Sequence, residues 1–283
     1  MATDLLSINT APLTSYLSKK YYDLQATIYI MQMLMAEEVV DGFEFKLLAE
    51  WNPAYVPLSR DSKFDREMAW ENSPKYTVEE IGGKLNSRRL PVLSVHANSD
   101  VGVCLCSEEP HLIERGIEMI GRAIALAQMV KAQICVFHVW DPWLNEIDFP
   151  KVQRRFEAVL SEYPEIKGAV ENIPTYVPGI TPYSIAKEYR WITLDTKWAL
   201  RYDELDSFRA LMDKIIDIHI HGRAENSRWA LSTSHHSAAE ILTTIESKWG
   251  YHRLLTLDTE GSFADMKWKD LVSGIASVRG IMP

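Results

Sequence analysis

The chain has 283 residues, 47% of them hydrophobic and 24% charged, with a formal net charge of −9. That make-up belongs to a globular protein long enough for one large α/β barrel or two ordinary domains. The acidity argues against a binder of phosphate backbones, which normally presents a basic face.

In chain order, the start "MATDLLSINTAPL" lacks the basic region and apolar run of a secretory signal. A first strand fits "LLSINT" at 5–10, and a long helix fits 13–38, stopped by "DG" at 41–42. Within it, the most apolar segment, "TIYIMQMLMA", runs into Glu37 and Glu38 and is too brief to span a bilayer. The second strand, "FEFKLL" at 43–48, precedes a connection rich in proline and charge, "AEWNPAYVPLSRDSKFDREMAWENSPKYT". It reads as a long loop, and long loops in compact domains serve as lids or binding elements.

A third strand, "PVLSVHA" at 91–97, leads to a helix with Ser107 as N-cap and Pro110 in its first turn. Ile113, Ile117, Ile120 and Ile124 on that helix predict one buried stripe. Strands then fit "ICVFHVW" at 134–140, "GAVEN" at 168–172, "WITLDT" at 191–196, "IIDIHIH" at 215–221 and "LLTLDT" at 254–259. Helices fit 151–162, 202–212, 236–248 and 266–278. Eight strands alternating with helices predict a closed parallel (β/α)8 barrel built from residues 1–283 as one domain. An open doubly wound sheet is the main alternative, but no glycine-rich phosphate loop follows the first strand. Cys104, Cys106 and Cys135 are an odd number without CxxC spacing, which fits reduced thiols in the cytoplasm.

Barrel enzymes carry their chemistry at the C-terminal strand ends. Here those ends hold Asn9, Glu44, His96, His138, Glu171, Asp195, His219 with His221, and Asp258. A scaffold needing only stability would fill inward positions with Val, Ile or Leu. Strand parity puts Asp217, His219 and His221 on one face of their strand, and Asp195 and Lys197 on one face of theirs. Converging carboxylates and imidazoles suit one divalent cation, Mn, Mg, Co or Zn. Glu44 also shares a face with Lys46, so a buried pair between them competes with a role in the site. Trp51, Trp140, Trp143 and Trp198 lie at or near the strand-end loops, where flat rings pack on a sugar or simply fill the rim.

The motifs "VLSVHANSD", "ICVFHVWD", "AVEN", "LDTKW", "DIHIHG" and "LTLDT" resemble the xylose-isomerase-like TIM-barrel superfamily, along essentially the whole chain. That group holds sugar isomerases, sugar epimerases and AP-endonuclease-type phosphodiesterases. The resemblance implies metal ligands at Glu171, Asp195, His219 and Asp258, with Glu171 and Asp258 also acting as the proton-transferring pair. It implies substrate contacts at His96, His138 and His221, a sugar-like substrate, and a homodimer or homotetramer; Trp198, Trp140 and Glu44 are read as further substrate contacts from their strand-end positions. His219 is read as the metal ligand and His221, nearer the mouth, as a substrate contact, with an exchange of those roles left open.

Three departures from the family pattern matter. Trp198 stands where a histidine often follows the sixth-strand aspartate, which speaks against a trinuclear zinc site. Asp258 replaces a glutamate, with Glu260 placed to reach in instead. Gly222 ends the "HIHG" stretch where the family has an aspartate. The expected function is therefore a metal-dependent isomerase or epimerase working next to a carbonyl. The alternatives are an AP-endonuclease-type phosphodiesterase, or a metal-free barrel that binds a ligand, with Lys197 supplying the charge a metal otherwise would. An amidohydrolase is set aside, because its H-x-H pair belongs to the first strand, where "SINTA" stands here.

Overall fold

A computed structural model of the chain describes residues 4–19, 22–48, 75–231, 236–259, 263 and 266–282. Strands β1 (Leu5–Asn9), β2 (Gly42–Lys46), β3 (Val92–His96), β4 (Ile134–Phe137), β5 (Lys167–Glu171), β6 (Trp191–Asp195), β7 (Ile215–Glu225) and β9 (Leu254–Thr259) pair in parallel. β9 pairs with both β7 and β1, so the sheet closes on itself. Helices follow the strands, giving a (β/α)8 barrel. Alternation explains the closure: Leu6, Ile8, Leu194, Ile218, Ile220 and Leu257 are fully buried against the helices. Their polar neighbours Ser7, Glu44, Ser94, Thr193, Asp217, His219 and Thr256 are also 0% exposed, so much of the barrel interior is hydrogen-bonded rather than greasy.

Several local expectations change. The single helix expected over 13–38 is a 3-10 turn, Leu13–Leu17, and a helix, Leu24–Ala36. Ser18 turns left-handed at φ 56°, and the Asp23 carboxylate restarts the helix by accepting from the Ala26 N–H at 2.9 Å. The long helix after β3 starts at Pro110, not at Ser107. Ser107 instead ends a short helix, Val101–Cys106, and accepts from the Glu109 N–H. The buried stripe of Pro110–Val130 accordingly runs through Gly116, Met119, Ile120, Ala123, Ile124 and Ala127, and Ile117 is 39% exposed. Gly116 sets this rotation, since any side chain there would press on the Cys104 Cβ of the short helix.

A helix at Val78–Ser87 was not expected, although Thr77 and Glu80 spell its capping box in the sequence. Helices Pro182–Ala186 and Thr196–Arg201 were also missed; at five and six residues they are too short to show a period. β7 runs four residues past His221 and turns through Asn226 and Ser227, both at positive φ, into the antiparallel β8 (Arg228–Ala230). The long connection after β2, including Trp51, falls mostly outside the described residues, as does Glu260. Among the described residues no helix is long and apolar enough to cross a membrane, and all three cysteines are free.

Candidate active site

Glu171, the last residue of β5, sits under two imidazoles. Its Oε2 lies 3.1 Å from His96 Nε2 and 2.9 Å from His138 Nε2. Burial on its own would raise its pKa, but His138, His219 and His96 together hold this carboxyl well below the usual range. Burial and the nearby Lys46 ammonium push His96 the other way, down to about 4, so its ring is neutral.

A layer closer to the barrel floor, His219 Nε2 is 3.1 Å from Glu44 Oε2 and 3.5 Å from Asp217 Oδ2, and its Nδ1 is 3.8 Å from Glu171 Oε1. Burial disfavours the imidazolium, yet these three carboxylates raise its pKa well above the ordinary value. Asn9 donates to Glu44 Oε1 at 2.7 Å, Ser94 donates to Oε2, and Thr256 donates to Asp217 at 2.9 Å. Glu44 is held at about 2 despite its burial. This cluster is closed by protein groups and has no exposed surface.

The third group is nearer the mouth. Asp195, His221 and Asp258 each offer a ligand atom, all within 4.8 Å of one another. His221 Nε2 is 3.5 Å from Asp258 Oδ2, and their side chains are 11% and 22% exposed. Asp195 Oδ1 accepts from the Lys197 N–H at 2.7 Å, capping the helix that follows β6. Burial raises the Asp195 pKa well above the ordinary range, and Glu171 and Asp258 add to it. Burial likewise pushes Asp258 up to about 7, with Glu171 and Glu44 adding their repulsion to a weaker pull from His219. Two carboxylates that resist ionising beside an imidazole, one buried and one partly exposed, form an oxygen- and nitrogen-donor set short of positive charge. Such a set suits a divalent cation.

The four ligands inferred from family resemblance thus fall into three groups: Glu171 with His96 and His138, His219 with Glu44 and Asp217, and Asp195 and Asp258 with His221. Trp140 is fully buried and donates its indole N–H to the Pro174 carbonyl at 2.9 Å. Trp198 lies half-buried on the helix after β6, with Lys197 Nζ 4.8 Å from its ring centre. Trp143 stacks on Tyr176 and is 76% exposed. The expected pair of Glu44 with Lys46 does not form. Lys46 Nζ instead lies 2.8 and 3.1 Å from the two ring nitrogens of His96 and 3.1 Å from Ser99 Oγ. Its parity with Glu44 was visible in the sequence, but the partner across the strand, in register at His96, was not. A cavity of about 540 Å³ between Leu160, Tyr163, Tyr189 and Trp191 opens at the N-terminal strand ends, away from all these groups. The chemistry is placed by the converging titratable side chains, not by that groove.

No family model and no curated protein matches this sequence. Solved structures do match along the whole chain. A sugar phosphate isomerase/epimerase from Parabacteroides distasonis superposes with a TM-score of 0.65 at 10% identity, covering 100% of this chain and 97% of its own. D-allulose 3-epimerase from Methylomonas sp. gives 0.62 at 14% identity, covering 100% and 98%. An AP endonuclease, family 2, from Brucella melitensis gives 0.58 at 11% identity, covering 93% and 96%. The (β/α)8 fold is shared with these proteins. At such identities the likeness speaks for the fold and leaves the chemistry to the residues.

Proposed function

We propose that this protein is an isomerase or epimerase of a small sugar or sugar derivative, shifting a proton at a carbon next to a carbonyl. The observation that carries this reading is Glu171: a buried carboxylate held ionised by imidazoles, one, two and three strands round the barrel from Asp195, His221 and Asp258. The sugar epimerases among the structures of similar fold point the same way.

In this reading Asp195, His221 and Asp258 would hold one divalent ion, of the Mn, Mg, Co or Zn kind. When bound, such an ion polarises substrate oxygens as a Lewis acid. Glu171 takes the proton from the substrate carbon, and His96 and His138 keep its oxygen aimed. Reprotonation on the opposite face comes from the Asp258 side of the site, with a proton drawn from solvent. Lys197, Trp198 and His138 orient hydroxyls at the rim, and Glu44 with His219 forms the rigid floor that fixes Glu171 from below. The protein acts in the cytoplasm as a homodimer or homotetramer.

The test is solvent-deuterium wash-in. The purified protein is incubated in deuterium oxide with a panel of C4–C6 ketoses and aldoses, with Mn, Co, Mg or Zn supplied in turn. Label at the carbon next to the carbonyl supports the reading. No label with any sugar and any metal rejects it.

A phosphodiesterase of the AP-endonuclease kind is the second reading, because His96, His138 and Glu171 have the composition of a second metal group. It requires two or three zinc ions per chain. Trp198 and the net charge of −9 weigh against it. Metal content per chain separates the two.

A further inference from the structure

Lys46 ends β2 at the level of His96 and is 8% exposed. Among the described residues it is the one lysine or arginine that is buried. Burying an ammonium costs several kcal/mol unless an opposite charge or good acceptors compensate it. Yet among the described residues no carboxylate oxygen closes an ion pair with Lys46. Its polar neighbours are the His96 ring and Ser99 Oγ.

An ammonium has three donors. Ser99 takes one. The His96 ring, whose Nε2 faces Glu171 Oε2, takes a second at Nδ1, 2.8 Å away. One N–H is left for a ligand. Burial lowers the Lys46 pKa below the ordinary lysine value, and the charges of Glu171, Glu44, Asp258 and Asp100 oppose that. None of these carboxylates contacts the amine, whose neighbours are the uncharged His96 ring and Ser99 Oγ. In barrel order β2 lies opposite β6, three strands from β7 and two from β9, so Lys46 belongs to a different part of the barrel wall from Asp195, His221 and Asp258.

A deprotonation next to a carbonyl leaves negative charge on the carbonyl oxygen, and a fixed donor there lowers the barrier. We propose that Lys46 is a catalytic residue: its free N–H binds the substrate oxygen on which that charge develops. This inference rests on the proton-transfer reading given above. It adds a second electrophile to the site, supplied by the chain itself. The proton balance is unchanged. The C–H electron pair moves into the C–C bond, the carbonyl electrons move onto the oxygen held by Lys46, and the proton goes to Glu171. Reprotonation at carbon reverses the flow, and Lys46 keeps its own protons throughout.

The experiment uses Lys46→Met and Lys46→Arg in the full chain, with three readouts. They are deuterium wash-in with the ketose panel, calorimetric binding of D-erythronate and D-gluconate, and bound metal per chain. Aldonates place a carboxylate where the reacting carbonyl oxygen would sit. We expect Lys46→Met to fold, since an apolar chain of similar length replaces a buried charge. It should bind metal like the parent, lose about 100-fold or more in kcat with a change in KM under about tenfold, and bind both aldonates at least about tenfold more weakly. Lys46→Arg keeps the charge and should recover part of both losses. Wash-in within about threefold of the parent in Lys46→Met, or aldonate binding indifferent to the substitution, overturns the role of Lys46 while leaving the proton-transfer reading intact. A parent protein that binds metal but neither exchanges label nor binds an aldonate overturns both. If Lys46→Met melts early, Lys46→Gln supplies the same comparison.

Discussion

His219 Nε2 and Glu44 Oε2 are 3.1 Å apart with neither side chain exposed, while His221, two residues on, reaches toward Asp258 at the mouth. Two histidines on one strand face thus have different work: one is a buried cation tying β7 to β2, the other a ligand atom beside two carboxylates. Breaking a buried charge pair costs about 3–5 kcal/mol, because the partner charge stays behind. His219→Ala is expected to lose that much stability, visible as a large fall in Tm, whether or not metal is added. His221→Ala should melt close to the parent without metal but lose metal-induced stabilisation. Thermal melts with and without Mn, beside metal analysis, check both. A metal-binding His221→Ala together with a metal-free, well-folded His219→Ala would reverse the assignment.

Metal uptake should release protons. Asp258 titrates at about 7 and Asp195 lies well above the ordinary carboxylate range, so near neutral pH the empty group holds protons that a cation must displace. The sign follows: affinity rises with pH through the Asp258 titration and flattens above it, by up to about tenfold per unit for each proton displaced. Calorimetric titration of Mn in buffers of different ionisation enthalpy counts the protons. Asp258→Asn should flatten the slope and weaken binding together; a slope unchanged in that variant would exclude Asp258 from the site.

Glu171→Gln keeps the acceptor oxygen but removes the charge that His96 and His138 face. The variant should stay folded and lose about 100- to 10,000-fold in deuterium wash-in, the usual scale for a general base. Wash-in that persists in the glutamine variant would move the base elsewhere.

The sequence showed the barrel because strand and helix periods are long-range patterns that survive without tertiary knowledge. It also showed which residues stand at strand ends, since parity alone puts His219, His221 and Asp217 on one face. Parity does not give depth. Whether an inward side chain meets a partner at the floor or opens to the mouth depends on the stagger of neighbouring strands, and the β2–β3 register that sets Lys46 beside His96 includes an irregularity at Phe43 and Glu44. The same limit explains Trp140, whose place near a strand end gave no hint that its indole N–H is used by Pro174.

At the opposite end of the barrel Glu246 is 7% exposed, and among the described residues its Oε1 has no hydrogen-bond partner. Burial raises its pKa to about 7 from an ordinary 4.5, with repulsion from Asp4 adding to it and His252 opposing. A carboxyl raised on folding binds its proton more tightly in the native state, so stability falls as pH climbs from the unfolded value through about 7. Glu246→Gln removes that ionisation. It should be more stable than the parent at about pH 8 by about 1 kcal/mol, after allowing for solvent screening, and nearly equal at about pH 5. Urea melts at the two pH values check the difference. An equal gain at both would mean that glutamine improves packing and that the titration is irrelevant.

Gly222 follows His221 directly, where β7 leaves the barrel for its hairpin with β8. A Cβ there would collide with the Ala230 carbonyl oxygen and come within 2.8 Å of Trp229 Nε1, the group that donates to the Ile220 carbonyl at 3.3 Å. Backbone φ at this position is not left-handed, so the demand is for space and not for conformation. Gly222→Ala must therefore push β8 off β7, costing about 1–3 kcal/mol, the usual range for overpacking. The same shift moves the peptide that carries His221, so metal affinity should fall along with Tm. A variant that disturbs the hairpin farther from His221, Gly274→Ala, whose Cβ would press on Ala224, should lose Tm with a smaller loss of metal affinity. Equal metal loss in the two would mean that the hairpin as a whole, and not the fit at Gly222, positions the imidazole.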